Sequence, residues 1–509
     1  MLQGREDEMA VRSEMDIALK FNRGLEFSRR GQLKEANDVL LDILRASPRN
    51  AGALYLLGSN CVKMRLFEPA RQMLTEATRI SPSNVDAHLD LSFALSGLGR
   101  YAEALACCET AVALAPKNPA AHMQRAMVLL PLLRHEEAVL AFDKAIALAP
   151  HFADAHYNRA KALTTLTRIE EAIESYDNAS AALPPYTNAQ AGKGTCLLAL
   201  GRYEEGLPLY ELRPSLRKLK EVLSYSQPSL TSDVDIAGKT LFIYHEHLLG
   251  DTIQFCRYAK LAEERGARVI LSIQNSLHGF IRTLSPTIEI IDETATPVHF
   301  DYHSPLMSLP LAFGTAASTI PAEVPYLRAD PDRAELWRRR IGDHGFKIGV
   351  SWCGSKVAID EHRVFPLADL EGVAALPNVR LISLQKNEGT EQLASLPRGM
   401  RVETPGDDFD AGPDAFLDTA AIAEHLDLII TLDSSLAHVG GAMARPTWVI
   451  LKHSPEWRWR MEGRDCPWYP TVRLFRQDRL GDWESALAKV ERELAEYISS
   501  STEAVLASH

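Results

Sequence analysis

Residues 85–118 read VDAHLDLSFALSGLGRYAEALACCETAVALAPKN, and residues 119–152 restate the pattern as PAAHMQRAMVLLPLLRHEEAVLAFDKAIALAPHF. Proline returns every 34 residues, at Pro48, Pro82, Pro116, Pro150 and Pro184. Alanine keeps the same period at Ala36, Ala70, Ala104, Ala138 and Ala172, with Gly206 in the next slot. A second small-residue column runs Gly24, Gly58, Ser92, Ala126, Ala160, Gly194. A third column is mostly large: Leu40, Leu74, Cys108, Phe142, Tyr176, Tyr210. Self-similarity at a fixed period marks a stack of supersecondary units. The units divide as 17–50, 51–84, 85–118, 119–152, 153–186 and 187–220.

Each unit predicts two helices. Small residues let the helices approach, the large column fills the gap between them, and proline stops the second helix. One unit cannot bury its own apolar face, so stacking supplies the core. The 34-residue period and its columns resemble the tetratricopeptide repeat (TPR). The sixth unit has Lys218 in the proline slot and is expected to run on into the next domain. In such an array the first helices line a groove. Their sixth positions read Asn22, Leu56, Asp90, Gln124, Asn158 and Gly192. Amides and short polar groups at one recurring place suit hydrogen bonding to an extended peptide backbone, which makes Asn22, Asp90, Gln124 and Asn158 acceptor-binding candidates. A solvated helix face accounts for them equally well.

The chain has 509 residues, enough for about three domains at roughly 100–200 each. With 46% apolar and 24% charged residues it matches an ordinary globular protein. Its 55 Lys and Arg against 67 Asp and Glu leave a net charge of −12, which disfavours nucleic acid as a partner. The seven cysteines are scattered without a CxxC pair, so reduced thiols and a cytoplasmic location are expected. The N-terminus has no apolar signal-type run, and no apolar stretch approaches the length of a membrane span.

Past residue 220 the texture changes. Lys239–Tyr244 (KTLFIY), 267–273, 288–291, 347–352, 379–384, 426–433 and 446–451 read as buried strands. Helices are expected at 252–265, 277–284, 367–375, 418–425, from Ser434 onward, and at 483–498. Strands alternating with helices predict parallel sheets. Two such halves with a cleft between them resemble the GT-B layout, a resemblance that implies a last helix returning to brace the first half. The division expected is an extension 1–16, repeats 17–220, a linker 221–237, a first half 238–325, a hinge region 326–346, a second half 347–480, and a helix and tail 481–509. Chemistry should sit at the carboxyl ends of the strands. There Asp433-Ser434-Ser435-Leu436-Ala437-His438 follows an apolar strand and opens a small-residue helix. Uncapped N–H groups at that helix start would suit a pyrophosphate. On spacing alone an ordinary Asp/Ser cap is the simpler reading.

Residues 418–451, DTAAIAEHLDLIITLDSSLAHVGGAMARPTWVIL, resemble the donor-binding segment of heptosyltransferase-like glycosyltransferases, and HLLGDTIQFCRY (247–258) resembles their Gly-Asp loop. FDYHSPLMSLPLAFGT (300–315), ISLQK (382–386) and SPEWRWRMEGRDCPWYPTVRLFRQ (454–477) resemble the TPR-fused bacterial branch. The whole is similar to TPR-type flagellin glycosyltransferases and O-GlcNAc transferase-like proteins. The resemblance implies an α-helical TPR solenoid followed by an α/β GT-B module of two Rossmann-like halves. It implies a metal-independent transfer from a nucleotide-sugar co-substrate, without a cofactor, to a protein hydroxyl presented by the groove, with flagellin as one candidate. Asp433, Ser434, Ser435 and His438 match donor contacts, Gln385 and Lys386 the nucleotide approach, Ser351 and Lys356 the loop after the first strand of the second half. Asp251 matches the acidic residue proposed as base or acceptor contact. Where the family's loop reads Gly-Leu-Gly-Asp after Glu-Gln, His247 and Leu248 replace the Gln and the first Gly. Other acceptors, a glycan or a lipid, and a non-catalytic scaffold with a degenerate module are the alternatives.

The residues themselves leave several choices. A transferase needs a base near the acceptor hydroxyl and dipoles or cations at the departing phosphate. Asp251 at a strand-end loop suits the first, but its position also fits a helix cap. His245 and His247 lie two apart without a third metal ligand, and either is an alternative base. Asp408 and Asp410 mimic a metal-binding DxD but are expected in a solvated loop. Trp457, Trp459, Trp468 and Tyr469 are read as interdomain packing or as a stacking surface for sugar or base.

Overall fold

A computed structural model describes residues 2–246, 248–354 and 364–507, with side chains from Glu14 to Ser500 within these ranges. His247 and Lys356, named above, lie outside the described residues. The chain divides into two compact units between Pro185 and Tyr186.

The first unit is a series of helical hairpins: Leu2–Arg29 with Leu33–Ala46, Ala51–Lys63 with Phe67–Ile80, Val85–Gly97 with Tyr101–Leu114, Pro119–Leu129 with His135–Leu148, and Ala153–Thr165 with Ile169–Ala182. The columns do what their sizes require. A methyl group on Gly58 would stand 2.6 Å from Leu74 Cγ, and one on Gly24 would stand 3.3 Å from Leu40 Cδ2. In the third unit the same pair is Ser92 and Cys108, whose Oγ and Sγ lie 2.9 Å apart. Ala36, Ala70, Ala104, Ala138 and Ala172 are fully buried.

Polar columns accompany the apolar ones. His88, His122 and His156 recur at the same period, and each donates from Nε2 to the carbonyl of the aligned proline six residues earlier at 2.9 Å. Asn50, Asn84 and Asn118 cap the following helices, accepting from Ala53, Ala87 and Ala120 N–H. Arg100–Glu103, Arg134–Glu137 and Arg168–Glu171 pair at the turn between helices, exposed and screened enough to add little.

The second unit opens with the sixth hairpin, Thr187–Ala199 and Tyr203–Tyr210, then Pro214–Val222. Its second helix has 8 residues where that of the fifth has 14, and Pro214 starts a new helix a few residues on. Its apolar face is covered from the far end of the chain: Tyr203 is fully buried against Trp457 and Trp468, with ring centres 6.2 and 6.3 Å apart.

Four parallel strands follow, β1 (Thr240–Tyr244), β2 (Arg268–Ser272), β3 (Glu289–Ile291) and β4 (Tyr302–Pro305), in the order β3-β2-β1-β4. Part of the segment read as linker lies along this sheet, where Leu230 N–H donates to His303 O at 2.8 Å and Ser229 bridges His303. The second sheet contains β5 (Phe346–Ser351), β6 (Val379–Ser383), β7 (Val402–Glu403), β8 (Leu428–Leu432), β9 (Thr447–Leu451), β10 (Asp465–Cys466) and β11 (Tyr469–Arg476). Its order is β10-β11-β9-β8-β5-β6-β7, parallel except at β10. β8 and β9 are buried at every position, which is why they read as unbroken apolar runs. The direction of strand succession reverses between β5 and β8.

Three expectations need correction. The helix expected over 252–265 starts earlier and breaks at Cys256, giving Leu249–Phe255 and Arg257–Glu264. The stretch 367–375 is a 3₁₀ turn, Leu367–Leu370, followed by the short helix Glu371–Ala374. GT-B resemblance implied that the last helix braces the first half. Instead Ala486, Leu487, Val490 and Leu494 of Trp483–Ala507 are buried in one cluster with Ile348, Val350, Trp448 and Phe475 of the second sheet. The hinge region also sits on this half: Trp337 Nε1 and Arg333 both donate to Asp418, at 2.9 and 2.8 Å. β4, β7, β10 and β11 escaped the sequence reading, since YHSP (302–305) has no apolar alternation, β7 and β10 are two residues each, and β11 begins on Tyr-Pro-Thr. All seven cysteines are free thiols. Among the described residues no helix is long and apolar enough to cross a membrane.

The repeat packing yields a test. Gly58→Ala should destabilise the array by about 1–3 kcal/mol through overpacking on Leu74, and Leu74→Val in the same chain should recover part of that loss. Denaturant unfolding of both single variants and the double variant reads the coupling. Strictly additive effects would refute the close contact.

Candidate functional site

The carboxyl ends of β5, β6 and β8 open onto a cleft of about 510 Å³, at the point where the strand order reverses. Ser351, Gln385, Lys386, Ser434 and Ser435 line it from the second sheet, and Leu249 from the first-sheet half. Gln385 is a strut. Its Oε1 accepts from Ser351 Oγ at 2.8 Å and from the N–H groups of Trp352 and Cys353 at 3.0 Å each. Its Nε2 donates to the carbonyls of Cys353 and Glu388 at 2.9 Å each. So Ser351 and Gln385 stand at the cleft, but each spends its polar atoms knitting the two loops together. Lys386 Nζ donates to Phe409 O at 3.0 Å and to Asp410 O, crossing the cleft wall.

Asp410 corrects another expectation. It is buried, not solvated, and its carboxylate accepts from Asp418 N–H (2.7 Å), Thr419 N–H (3.3 Å) and Thr419 Oγ1 (2.6 Å). Asp418 accepts from Asp410 N–H in return at 2.8 Å. Asp410 thus caps the helix Leu417–Ala423, while Asp408 stays exposed and pairs with Arg340.

At the helix Ser435–Ala442, Ser434 holds the N-cap place, but its hydroxyl meets Thr431 Oγ1 at 3.0 Å and makes no cap hydrogen bond to the first turn. Ser434 therefore does not supply the expected cap, and the first turn of this helix lines the cleft with Ser434, Ser435 and Leu436. Asp433 lines a separate small hollow with Lys452 and Trp483. His438 lies behind the cleft wall, 5% exposed, stacked on Trp459 at 5.3 Å and 21°. Its Nδ1 is 3.0 Å from Tyr469 Oη.

The Gly-Asp loop of the first half meets this helix directly. A methyl group on Gly250 would stand 3.0 Å from His438 Cδ2 and 3.4 Å from Ser435 Oγ, so a larger residue here would press on the helix. Leu248 has φ −82°, so this position never required left-handed backbone. Asp251 is at the third position of Leu249–Phe255. Its Oδ2 accepts from Leu248 N–H at 3.1 Å, and its Oδ1 from Arg458 at 2.5 Å. Arg458 is 7% exposed, also pairs with Glu456 at 2.8 Å, and lies 5.2 Å from the ring centres of both Phe255 and Trp457. Burial opposes its charge, but Glu456 and Asp251 outweigh that and hold its pKa above the ordinary value.

Sequence reasoning missed a second buried pair. Glu246, just after β1, receives two bonds of 2.6 Å from Arg213, which also donates to Glu211 and Ser308. Nothing in the spacing announces it. His245 beside it is half-buried, and burial lowers its pKa. Trp457, Trp459, Trp468 and Tyr469 are all at or below 2% exposure, so packing rather than an open stacking surface is their role. In the first unit Asn22 is exposed, and Asp90, Gln124 and Asn158 are half-buried. The Asn158 amide already donates to Asp154 O at 2.8 Å, and burial raises the pKa of Asp90.

Two tetratricopeptide-repeat profiles match residues 67–128, 123–187 and 157–214. The N-terminal part of the chain is a TPR array. FlbA of Caulobacter vibrioides is 27% identical over 294 residues, covering 53% of this chain and 48% of FlbA, so the chain spans about half the length of that relative. Among solved structures, YrrB, described as a TPR protein with an unusual peptide-binding site, is 26% identical with a TM-score of 0.31, covering 34% of this chain and 90% of YrrB. PilF of Pseudomonas aeruginosa is 17% identical with a TM-score of 0.36, covering 42% and 99%. A TPR protein of Thermus thermophilus is 21% identical with a TM-score of 0.31, covering 36% and 99%.

The shared guanidinium gives a second test. Asp251→Asn keeps an acceptor for Leu248 N–H but withdraws a charge from Arg458, and should cost about 1–3 kcal/mol. Adding Glu456→Gln leaves a buried cation without a carboxylate, so the double variant should lose more than the sum. Equal sums in denaturant titrations would show that the two carboxylates do not share Arg458.

Proposed function

We propose that the second unit is a GT-B-type glycosyltransferase that takes a nucleotide sugar into the cleft, without a metal, and that the TPR array presents a protein acceptor hydroxyl. The observation that carries this reading is the helix start at Ser434 and Ser435, where Ser434 makes no cap hydrogen bond, opening into a cleft of about 510 Å³ at the reversal between β5 and β8. A diphosphate would accept from those N–H groups, and the helix dipole would favour the charge it develops on leaving. Gln385 would hold the loops that flank the nucleotide. Asp251 would serve as base or would orient the acceptor, and His247 and His245 are the alternatives for the proton. Flagellin is one protein acceptor that fits.

A second reading is supported by Asp251 itself. Both its oxygens already accept hydrogen bonds, one from Arg458, so the carboxylate is engaged within the protein. On that reading the module is a degenerate transferase and the protein a TPR scaffold. A glycan or lipid acceptor is a third outcome.

A panel of nucleotide sugars in a thermal-shift assay separates these. A true donor at 100 times its Kd should stabilise the fold by about 2.7 kcal/mol, and His438→Ala should weaken that binding by about 1.5–3 kcal/mol. If no nucleotide sugar shifts the transition, the transferase reading falls. With a donor in hand, Asp251→Asn should lower turnover by about 10²–10⁴ if Asp251 is the base, and normal turnover moves the role to another residue.

The array is tested separately. Changing Asn22, Asp90, Gln124 and Asn158 together to Ala should leave donor binding intact and reduce transfer to a protein acceptor, because docking raises its local concentration. Full protein transfer by this variant would favour the small-glycan acceptor.

A further inference from the structure

Behind the helix start at Ser435 runs a chain of four polar side chains whose hydrogens can be assigned one at a time. Arg257 is buried, and none of its hydrogen bonds goes to a carboxylate. It donates to the carbonyls of Gln254 (2.8 Å), Pro321 (2.6 Å) and Trp468 (2.9 Å), and to Tyr326 Oη (2.8 Å). Tyr326 Oη lies 2.9 Å from the carbonyl of Ile253. A carbonyl only accepts, so the single phenolic hydrogen of Tyr326 goes there. The Gln254 carbonyl, at 3.4 Å, is a weaker acceptor for the same hydrogen, and toward Arg257 Tyr326 is an acceptor.

Tyr469 Oη then has two neighbours, Tyr326 Oη at 3.4 Å and His438 Nδ1 at 3.0 Å. An O–H···O bond spans about 2.5–3.0 Å, so the contact with Tyr326 is too long to hold the hydrogen. It goes to His438 Nδ1, which must be unprotonated to accept it. The Arg257 guanidinium lies 4.6 Å from the centre of the Tyr469 ring.

We infer that Tyr469 is a positioning residue that holds His438 as the neutral Nε2–H tautomer. The ring then presents an N–H on the edge that faces Gly250, where Cδ2, bonded to Nε2, makes its close approach. His438 follows Ser435 by three residues, so the two share a helix face. Held this way His438 donates a hydrogen bond and cannot act as a base. The ligand it serves, the diphosphate of a nucleotide sugar, rests on the reading proposed above; the tautomer does not.

The test is long-range ¹H–¹⁵N spectroscopy of the full ligand-free chain labelled at its 16 histidines. His438 is identified by the signal lost in His438→Gln or by the one ring that responds in Tyr469→Phe. The expected result is a pyrrole-type Nε2 and a pyridine-type Nδ1. Tyr469→Phe keeps the ring but removes the hydrogen, so the two nitrogens should move toward averaged values, and affinity for inorganic pyrophosphate should fall about tenfold. A protonated Nδ1 in the unaltered chain overturns the inference, and that spectrum decides even if Tyr469→Phe fails to fold. The expected tautomer together with no pyrophosphate binding by the unaltered chain would leave Tyr469 its role and remove the diphosphate.

Discussion

A guanidinium taken out of water must find acceptors, and Arg458 finds two carboxylates, one on its own loop and one on the other half of the unit. Glu456 is two residues away; Asp251 is 207 residues away and follows β1. Bringing Asp251 to Arg458 draws the whole loop after β1 against the helix Ser435–Ala442. That approach leaves little room for a side chain at Gly250, whose neighbours are Ser435 and His438. On the opposite margin, Ala415 N–H donates to Ser276 O at 2.6 Å and Gly279 N–H to Asp414 at 3.2 Å. The cleft between the sheets is therefore fixed on two sides by a few polar contacts, and the buried ion pair is the costliest to break.

That dependence explains which features were legible in the sequence. Apolar runs such as LIITL and TWVIL are buried on both faces, so their composition alone announces strands. The loops at the carboxyl ends of those strands followed from counting them. The polar struts did not. Arg213 meets Glu246 across 33 residues, Gln385 meets Ser351 across 34, and Arg257 meets Tyr326 across 69, with no period or motif linking them. Each is read only once the chain is folded, because what selects it is a buried partner. Asp410 shows the same limit from the other side: in a Gly/Pro/Asp-rich loop composition predicts solvent, yet the helix at Leu417 needs a cap and takes this carboxylate.

In the array the balance is reversed. Size columns at Gly58 and Leu74 were legible because packing demands them in every unit. The histidine column was equally periodic but fills only three of six units, and a sparse column is hard to separate from chance. Its chemistry clarifies why it exists: the proline just past the end of a helix carries a carbonyl of its own, and an imidazole N–H from the next helix satisfies it. The proline and the histidine are two parts of one device.

The sixth hairpin answers to both regimes. Its Gly194 and Gly206 keep the repeat's close approach, while its outer face belongs to the second unit's core. Tyr203 and Tyr210 pack on Trp457, and Arg213 neutralises Glu246, whose side chain is fully buried. A chain starting near Pro228 would lose all three and leave Glu246 as a buried, unpaired charge. Breaking such a pair costs about 3–5 kcal/mol, a large part of the roughly 5–15 kcal/mol that holds a domain together. A chain starting at Tyr186 keeps every one of these contacts. The physical boundary between the array and the second unit therefore falls inside the run of repeats, one hairpin earlier than the 34-residue period ends.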